Sequence, residues 1–203
     1  MKVAGVLLAG GQSRRMGGGD KALRLLGGIT LLERVIERLR PQVDTLVLNA
    51  NGDPARFAKF GLPVAPDNVP GFAGPLAGVL AGLDWTAANL PDHAFVVSVA
   101  TDAPFLPADL VTRLVEGLER ERGDLACAAS GGRTHPVVAL WPISLREDLR
   151  RALIDGEQRA VGQFQRNHKL AVVEWPATPR DPFFNVNTPG DLSRAEDMLR
   201  QKA

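Results

Sequence analysis

Residues 8–21 read Leu8-Ala9-Gly10-Gly11-Gln12-Ser13-Arg14-Arg15-Met16-Gly17-Gly18-Gly19-Asp20-Lys21, a run of glycines interleaved with three positive charges. Glycine lets backbone N–H groups come close to phosphate oxygens, and Arg14, Arg15 and Lys21 supply the charge a polyphosphate needs. A plain surface loop is the rival reading. It is disfavoured because the stretch directly follows a buried apolar run, where open α/β sheets bind ligands. Two familiar loops fail the test of spacing. A Walker A loop needs Gly-Lys followed by Ser or Thr, but here Asp20 precedes Lys21 and Ala22 follows it. The segment 17–22 fits a loose G-x-G-x-x-A, yet it starts well after the apolar run ends, which makes a dinucleotide-binding oxidoreductase the weaker reading.

A second chemical signal is Thr101-Asp102-Ala103-Pro104, which puts a carboxylate just after another apolar run. Magnesium is held by one or two carboxylates plus phosphate oxygens, so Asp102 beside a triphosphate loop suffices as the protein's metal ligand. A turn aspartate before Pro104 is the alternative. Asn49 and Asp67 each close or follow a further apolar run; they can read a base edge or a ribose, and they can equally serve turns. His135 precedes Pro136 and a strand candidate, where a structural hydrogen bond and a substrate contact weigh about the same. Asn185 and Asn187 alternate, so in an extended segment they share one face, and a turn-and-cap role rivals function for Asn187. Cys127 lies in an apolar segment with no histidine near it and reads as core. His93 and His168 receive no role.

The elements that must position these residues alternate. Residues 2–9 form a continuous apolar run of the kind buried on both faces of a sheet. Thr30-Leu31-Leu32-Glu33 has capping-box spacing, and Leu32, Val35, Ile36 and Leu39 share a helical face up to Pro41. Strand runs follow at 45–49 and 62–65, with a short helix at 53–60 stopped by Gly61. Helix 76–90, strand 95–100 and helix 107–122 complete the first part. The remainder reads as strands 125–129 and 135–140, antiparallel to one another, helices 145–154 and 161–167, strand 170–175, and a last helix opened by Thr188-Pro189-Gly190-Asp191. This pattern predicts an α/β fold: a single-domain, Rossmann-like three-layer sandwich, its sheet mostly parallel and covered by helices on both faces.

Composition excludes several classes. The 203 residues carry 24 basic and 23 acidic side chains, net +1, so no basic field marks a nucleic-acid partner. No apolar run approaches the roughly 20 residues of a membrane span, and no signal-peptide cleavage pattern follows the first run, so a soluble cytoplasmic chain is expected. The single cysteine rules out a disulfide scaffold.

Taken with Arg15-Met16-Gly17 and Asp20-Lys21, the Leu8-Ala9-Gly10-Gly11 start resembles the L-A-G-G-x-x-x-R-M-G-x-x-D-K signature of the molybdenum cofactor guanylyltransferases, the MobA family. The resemblance extends through Asn49-Ala50-Asn51, Asp67, the 74–78 segment, Thr101-Asp102, His135-Pro136 and 184–189, nearly the whole chain. It implies the nucleotide-diphospho-sugar transferase-like fold, with an NTP-binding N-terminal half and an acceptor-binding C-terminal half. The implied reaction moves GMP from GTP to the terminal phosphate of molybdopterin or molybdenum-molybdopterin, with Mg2+. It further implies nucleotide binding by Leu8, Ala9, Gly10, Gly11, Lys21, Asn49, Asp67 and Asp102, and catalysis by Arg15, Lys21 and Asp102. Asn185, Asn187 and His135 fall on the acceptor side, and transient protein partners in cofactor delivery are in keeping with the family. Asn185 and Asn187 stand where many sugar nucleotidyltransferases place a metal-holding carboxylate, which favours the guanylyltransferase and leaves a second protein carboxylate ligand in doubt. A molybdopterin cytidylyltransferase, a sugar-phosphate nucleotidyltransferase and a noncatalytic GTP-binding partner module remain as alternatives.

Overall fold

The structure, a computed structural model, describes residues 1–10, 20–69, 74–156 and 158–201. Strand β1 (Val3–Leu8) is buried along its whole length, as its unbroken apolar sequence requires. A two-residue hairpin follows, β2 (Leu25–Leu26) and β3 (Ile29–Thr30), which the sequence pattern does not announce. Its turn is Gly27-Gly28, both at positive φ, the conformation that two-residue hairpins demand. Helix α1 (Leu31–Leu39) opens with the expected capping box: Glu33 N–H donates to Thr30 Oγ1 at 3.1 Å, and Thr30 N–H donates to Glu33 Oε2 at 2.8 Å.

Strand β4 (Thr45–Asn49) is as expected, whereas the next helical segment, Pro54–Phe60, winds as a 3-10 helix. Asp53 caps it, and Gly61, in the left-handed region, ends it. Strand β5 is only Val64–Ala65, because Pro63 has no N–H for the ladder. Helix α2 (Pro75–Asn89) and strand β6 (Phe95–Ala100) follow. Helix α3 is Leu110–Glu121, starting three residues later than its sequence pattern implies. The Gln42 side chain explains the delay, since it donates to the Pro107 carbonyl at 2.9 Å and accepts from Val111 N–H at 3.1 Å. Strands β7 (Leu125–Ser130) and β8 (Arg133–Pro142), helices α4 (Arg146–Ile154) and α5 (Val161–Arg166), strand β9 (Leu170–Trp175) and helix α6 (Pro189–Arg200) complete the described chain.

Seven strands form one sheet in the order β5-β4-β1-β6-β8-β7-β9, with β8 alone running antiparallel to its neighbours. Alternate strand residues feed two cores. Val3, Leu7, Leu46, Leu48, Val97 and Val99 meet α1 and α3 on one face. Ala4, Val6, Leu8, Val47 and Val96 meet α2, α4 and α5 on the other. This is the expected three-layer arrangement. A third cluster of Leu26, Leu31, Phe105, Val186 and Ala195 ties α6 to the hairpin and to the segment after β6. From β1 the chain moves toward β4, and from β6 it moves toward the opposite end of the sheet. The carboxyl ends of this adjacent parallel pair therefore form the topological switch point, where a crevice must open. Among the described residues no helix is long and apolar enough to cross a membrane.

The close packing of α2 on β1 depends on Gly82, where an added Cβ would lie 2.4 Å from Val6 Cγ2. Gly82→Ala should therefore destabilise the fold by about 1–2 kcal/mol, overpacking outweighing the ~1 kcal/mol that alanine gains in helix propensity. Urea unfolding checks this, and a stabilised variant would contradict the packing described.

Candidate functional site at the switch point

Three strand ends are pinned together beneath the crevice. Thr101 donates to the Leu8 carbonyl from both its backbone N–H, at 3.3 Å, and its Oγ1, at 3.2 Å. The Ala9 N–H donates to the Asn49 carbonyl at 2.9 Å, so that amide is already committed within the protein. Above these ends lies a cavity of about 460 Å³. It gathers Leu8, Ala9, Gly10, Lys21, Asn49, Asp67, Asp102, His135, Asn185 and Asn187, every nominated residue that falls among those described. Gly11 and Arg15, nominated from the sequence, lie outside the described residues, as does Arg14.

At the centre Lys21 Nζ forms an ion pair with Asp102 Oδ2 and also donates to Asn187 Oδ1. Lysine and aspartate are both largely shielded, with 13% and 19% of their side-chain surface exposed, so the attraction is only weakly screened by water. Asp102 Oδ1 is buried and has no hydrogen-bond partner among the described residues. A buried carboxylate oxygen without a partner is costly unless a cation or donor meets it, and a hard divalent cation is a suitable partner. Among the described residues no group of three or more His, Cys, Asp or Glu side chains could enclose a metal, so phosphate and water oxygens would have to complete such a site. The Asp102 carbonyl accepts from Val186 N–H at 2.9 Å, which fastens the 185–187 segment beside the carboxylate. Val186 is buried while Asn185 and Asn187 are exposed to the cavity, the alternation read from the sequence. The capping of α6 falls to Thr188, and the Asn187 side chain turns to Lys21 instead.

On the other side, Asn49 is 4% exposed and donates from Nδ2 to the Ala65 carbonyl at 3.1 Å and to Asp67 Oδ1 at 2.9 Å. Both amide hydrogens are thus spent within the protein, one of them in holding Asp67. Asn51 completes the hold, donating to Asp67 Oδ2 at 2.8 Å and accepting from Asp67 N–H at 2.8 Å. The first turn of α2 comes close enough to Asn49 that a Cβ on Gly78 would lie 2.3 Å from Asn49 Oδ1. Asn51 lines the cavity as well, and its signal in the sequence is its place two residues after Asn49 in the same string.

The far wall carries His135, whose Nε2 lies 2.7 Å from Ser130 Oγ, while Ser130 Oγ donates to Asp181 Oδ1 at 2.8 Å. Phe183 packs against the imidazole with ring centres 4.8 Å apart. Ser130 and Asp181 are 51 residues apart and give no local sequence signal. Cys127 is fully buried, and burial pushes its thiol up to about 12, which leaves no nucleophile there.

A family model described as the MobA-like NTP transferase domain matches residues 5–170. A protein of Bradyrhizobium sp. (strain ORS 278) named molybdenum cofactor guanylyltransferase is 62% identical over 196 residues, 97% of this chain and 92% of its own. One of the same name from Mesorhizobium japonicum is 50% identical over 201 residues, 98% of this chain and 96% of its own. The crystal structure of molybdopterin-guanine dinucleotide biosynthesis protein A from Archaeoglobus fulgidus superimposes with a TM-score of 0.76 at 27% identity, covering 99% of this chain and 100% of its own. The 4-diphosphocytidyl-2C-methyl-D-erythritol synthase of Anaerococcus prevotii has a TM-score of 0.75 at 13% identity, covers 98% of this chain and 96% of its own, and shares the fold alone.

Burial lowers the pKa of His135 below its ordinary 6.5, against an opposing pull from Asp181. Because the unfolded chain binds this proton more readily, the histidine's contribution to stability is intact above 6.5 and is lost as pH falls from there through the lowered folded value. An NMR titration of the His135 ring should give a midpoint below 6.5; a midpoint above it would contradict the burial.

Proposed function

Since the chain belongs to the MobA-like NTP transferase family and, by its relatives, to the molybdenum cofactor guanylyltransferases, we propose that it moves GMP from GTP to the terminal phosphate of molybdopterin, whether or not that carries molybdenum. The products are molybdopterin guanine dinucleotide and pyrophosphate. The observation that carries this reading is the junction of Lys21, Asp102 and Asn187, which lies inside one cavity that also reaches Asp67 on one side and His135 on the other. Such a site can hold a triphosphate and a second phosphorylated molecule at once. The reducing cytoplasm, where GTP is made and a lone thiol persists, is the fitting compartment.

In this mechanism the acceptor phosphate is already an anion near neutral pH, so its oxygen attacks the α-phosphorus without a general base, and the work left to the protein is positioning and charge stabilisation. Gly10 and Gly11 bring backbone close to the triphosphate, with Leu8 and Ala9 as the floor. Lys21, held by Asp102 and Asn187, donates to phosphate oxygens as charge builds, and Arg15 adds a second cation. Asp67, positioned by Asn49 and Asn51, accepts from the nucleoside. Asn185 and Asn187 orient the acceptor phosphate. Asp102 would hold Mg2+, which when bound neutralises charge on the phosphate oxygens.

Asp102→Ala should reduce kcat by about a hundredfold or more while leaving the unfolding midpoint close to that of the wild type, and chelation of divalent ions should abolish turnover until Mg2+ is restored. Near-normal activity in purified Asp102→Ala would refute the metal assignment. Titration with GTP, CTP, UTP and ATP separates the base alternatives. Pyrophosphate release with molybdopterin should be fastest with GTP; preference for CTP would make the enzyme a cytidylyltransferase, and GTP binding with no release under any acceptor would make it a binding module.

A further inference from the structure

Asp181, Ser130 and His135 form a hydrogen-bonded line that admits one arrangement of protons. Asp181 Oδ1 accepts from Ser130 Oγ at 2.8 Å and from the Phe183 N–H at 2.9 Å. An ionised carboxylate has no proton to give, so the single hydroxyl proton of Ser130 is committed to Asp181. Ser130 Oγ can then only accept at its other contact, 2.7 Å from His135 Nε2. His135 must donate from Nε2, and the neutral ring therefore carries its lone pair on Nδ1. Nδ1 makes no hydrogen bond among the described residues, and His135 lines the cavity. The ring is also restrained by packing, because Phe183 lies tilted against it and is itself held edge-on by Trp175 with ring centres 5.4 Å apart. Ser130 is 3% exposed, so water does not compete for the relay.

We propose that Ser130 and Asp181 are positioning residues that lock His135 as the Nε2–H tautomer, so that Nδ1 serves as a hydrogen-bond acceptor selecting acceptor molecules with a ring N–H or an amino group. The inference rests on the reading of this wall as the acceptor side of a transferase. A pterin-type heterocycle presents such donors, whereas a sugar phosphate presents hydroxyls that can adapt to either tautomer. The charged groups facing the ring are Asp181 from the loop after β9, Arg133 on its own strand and Glu174 on β9. Burial opposes a second proton on the ring, which keeps the lone pair available near neutral pH.

Long-range 15N–1H NMR of His135 in the protein without substrate reads the tautomer directly, and the lone pair should appear on Nδ1. Ser130→Ala should give a mixture of tautomers and raise the KM for molybdopterin about fivefold, with kcat and the KM for GTP changed by less than about twofold. Asp181→Ala should behave in the same way. Asp181→Asn, whose amide oxygen can accept both hydrogen bonds, should recover the wild-type tautomer and most of the acceptor affinity. A wild-type ring protonated on Nδ1 would overturn the proposal, as would Ser130→Ala with tautomer and molybdopterin KM both unchanged. Should no transfer to molybdopterin occur while the tautomer is as expected, the proton line stands and the proposed acceptor, with the selection argued from it, falls.

Discussion

Placing a lysine and an aspartate together in a largely shielded crevice is costly, because each loses hydration that their mutual attraction only partly returns. The protein does so with Lys21 and Asp102, residues 81 positions apart, and adds Asn187 from 166 positions away. Nothing in local sequence brings these three together. They meet because β1 and β6 are adjacent parallel strands whose exits diverge, and because Val186 is bound by its N–H to the Asp102 carbonyl. The rest of the fold can be understood as what keeps that junction in place. The helical layers bury both faces of the sheet, and the small cluster around Leu26, Phe105 and Val186 anchors α6 against it.

The same logic runs through the two flanks. Asp67 is exposed enough to meet a ligand, yet its orientation is set by two asparagine amides, one of them buried. His135 is set by Ser130, itself bonded to Asp181, and its ring packs against Phe183, which Trp175 holds in turn. In each case a residue facing the cavity is held in orientation by the hydrogen bonds of neighbouring side chains. Such preorganisation is what charge stabilisation in phosphoryl transfer requires, since side chains that must reorganise during the reaction forfeit much of their effect.

Much of this was legible in the sequence where the signal is local. The buried β1, the capping box at Thr30, the N-cap at Thr188 and the 3.6-residue apolar period of α1 could be read directly, because each depends on neighbours within a turn or two. The Gly27-Gly28 hairpin was missed because two-residue strands leave no periodicity, and α3 begins late because a glutamine about 70 residues earlier holds its first turn. Site residues that follow apolar runs, such as Asn49, Asp67 and Asp102, could be nominated from position alone. Ser130 and Asp181 could not, since their importance lies in partners that only the folded chain supplies.

The proposed chemistry requires the crevice to hold triphosphate and divalent ion jointly, with Lys21 on the phosphates and Asp102 on the metal. Manganese as a paramagnetic substitute, titrated by EPR with and without GTP into the wild-type protein and into Asp102→Asn, tests that claim at its source. Tight manganese binding that appears only with GTP, and is lost in Asp102→Asn while GTP itself still binds, is the predicted result. Manganese held equally well by both proteins would contradict it.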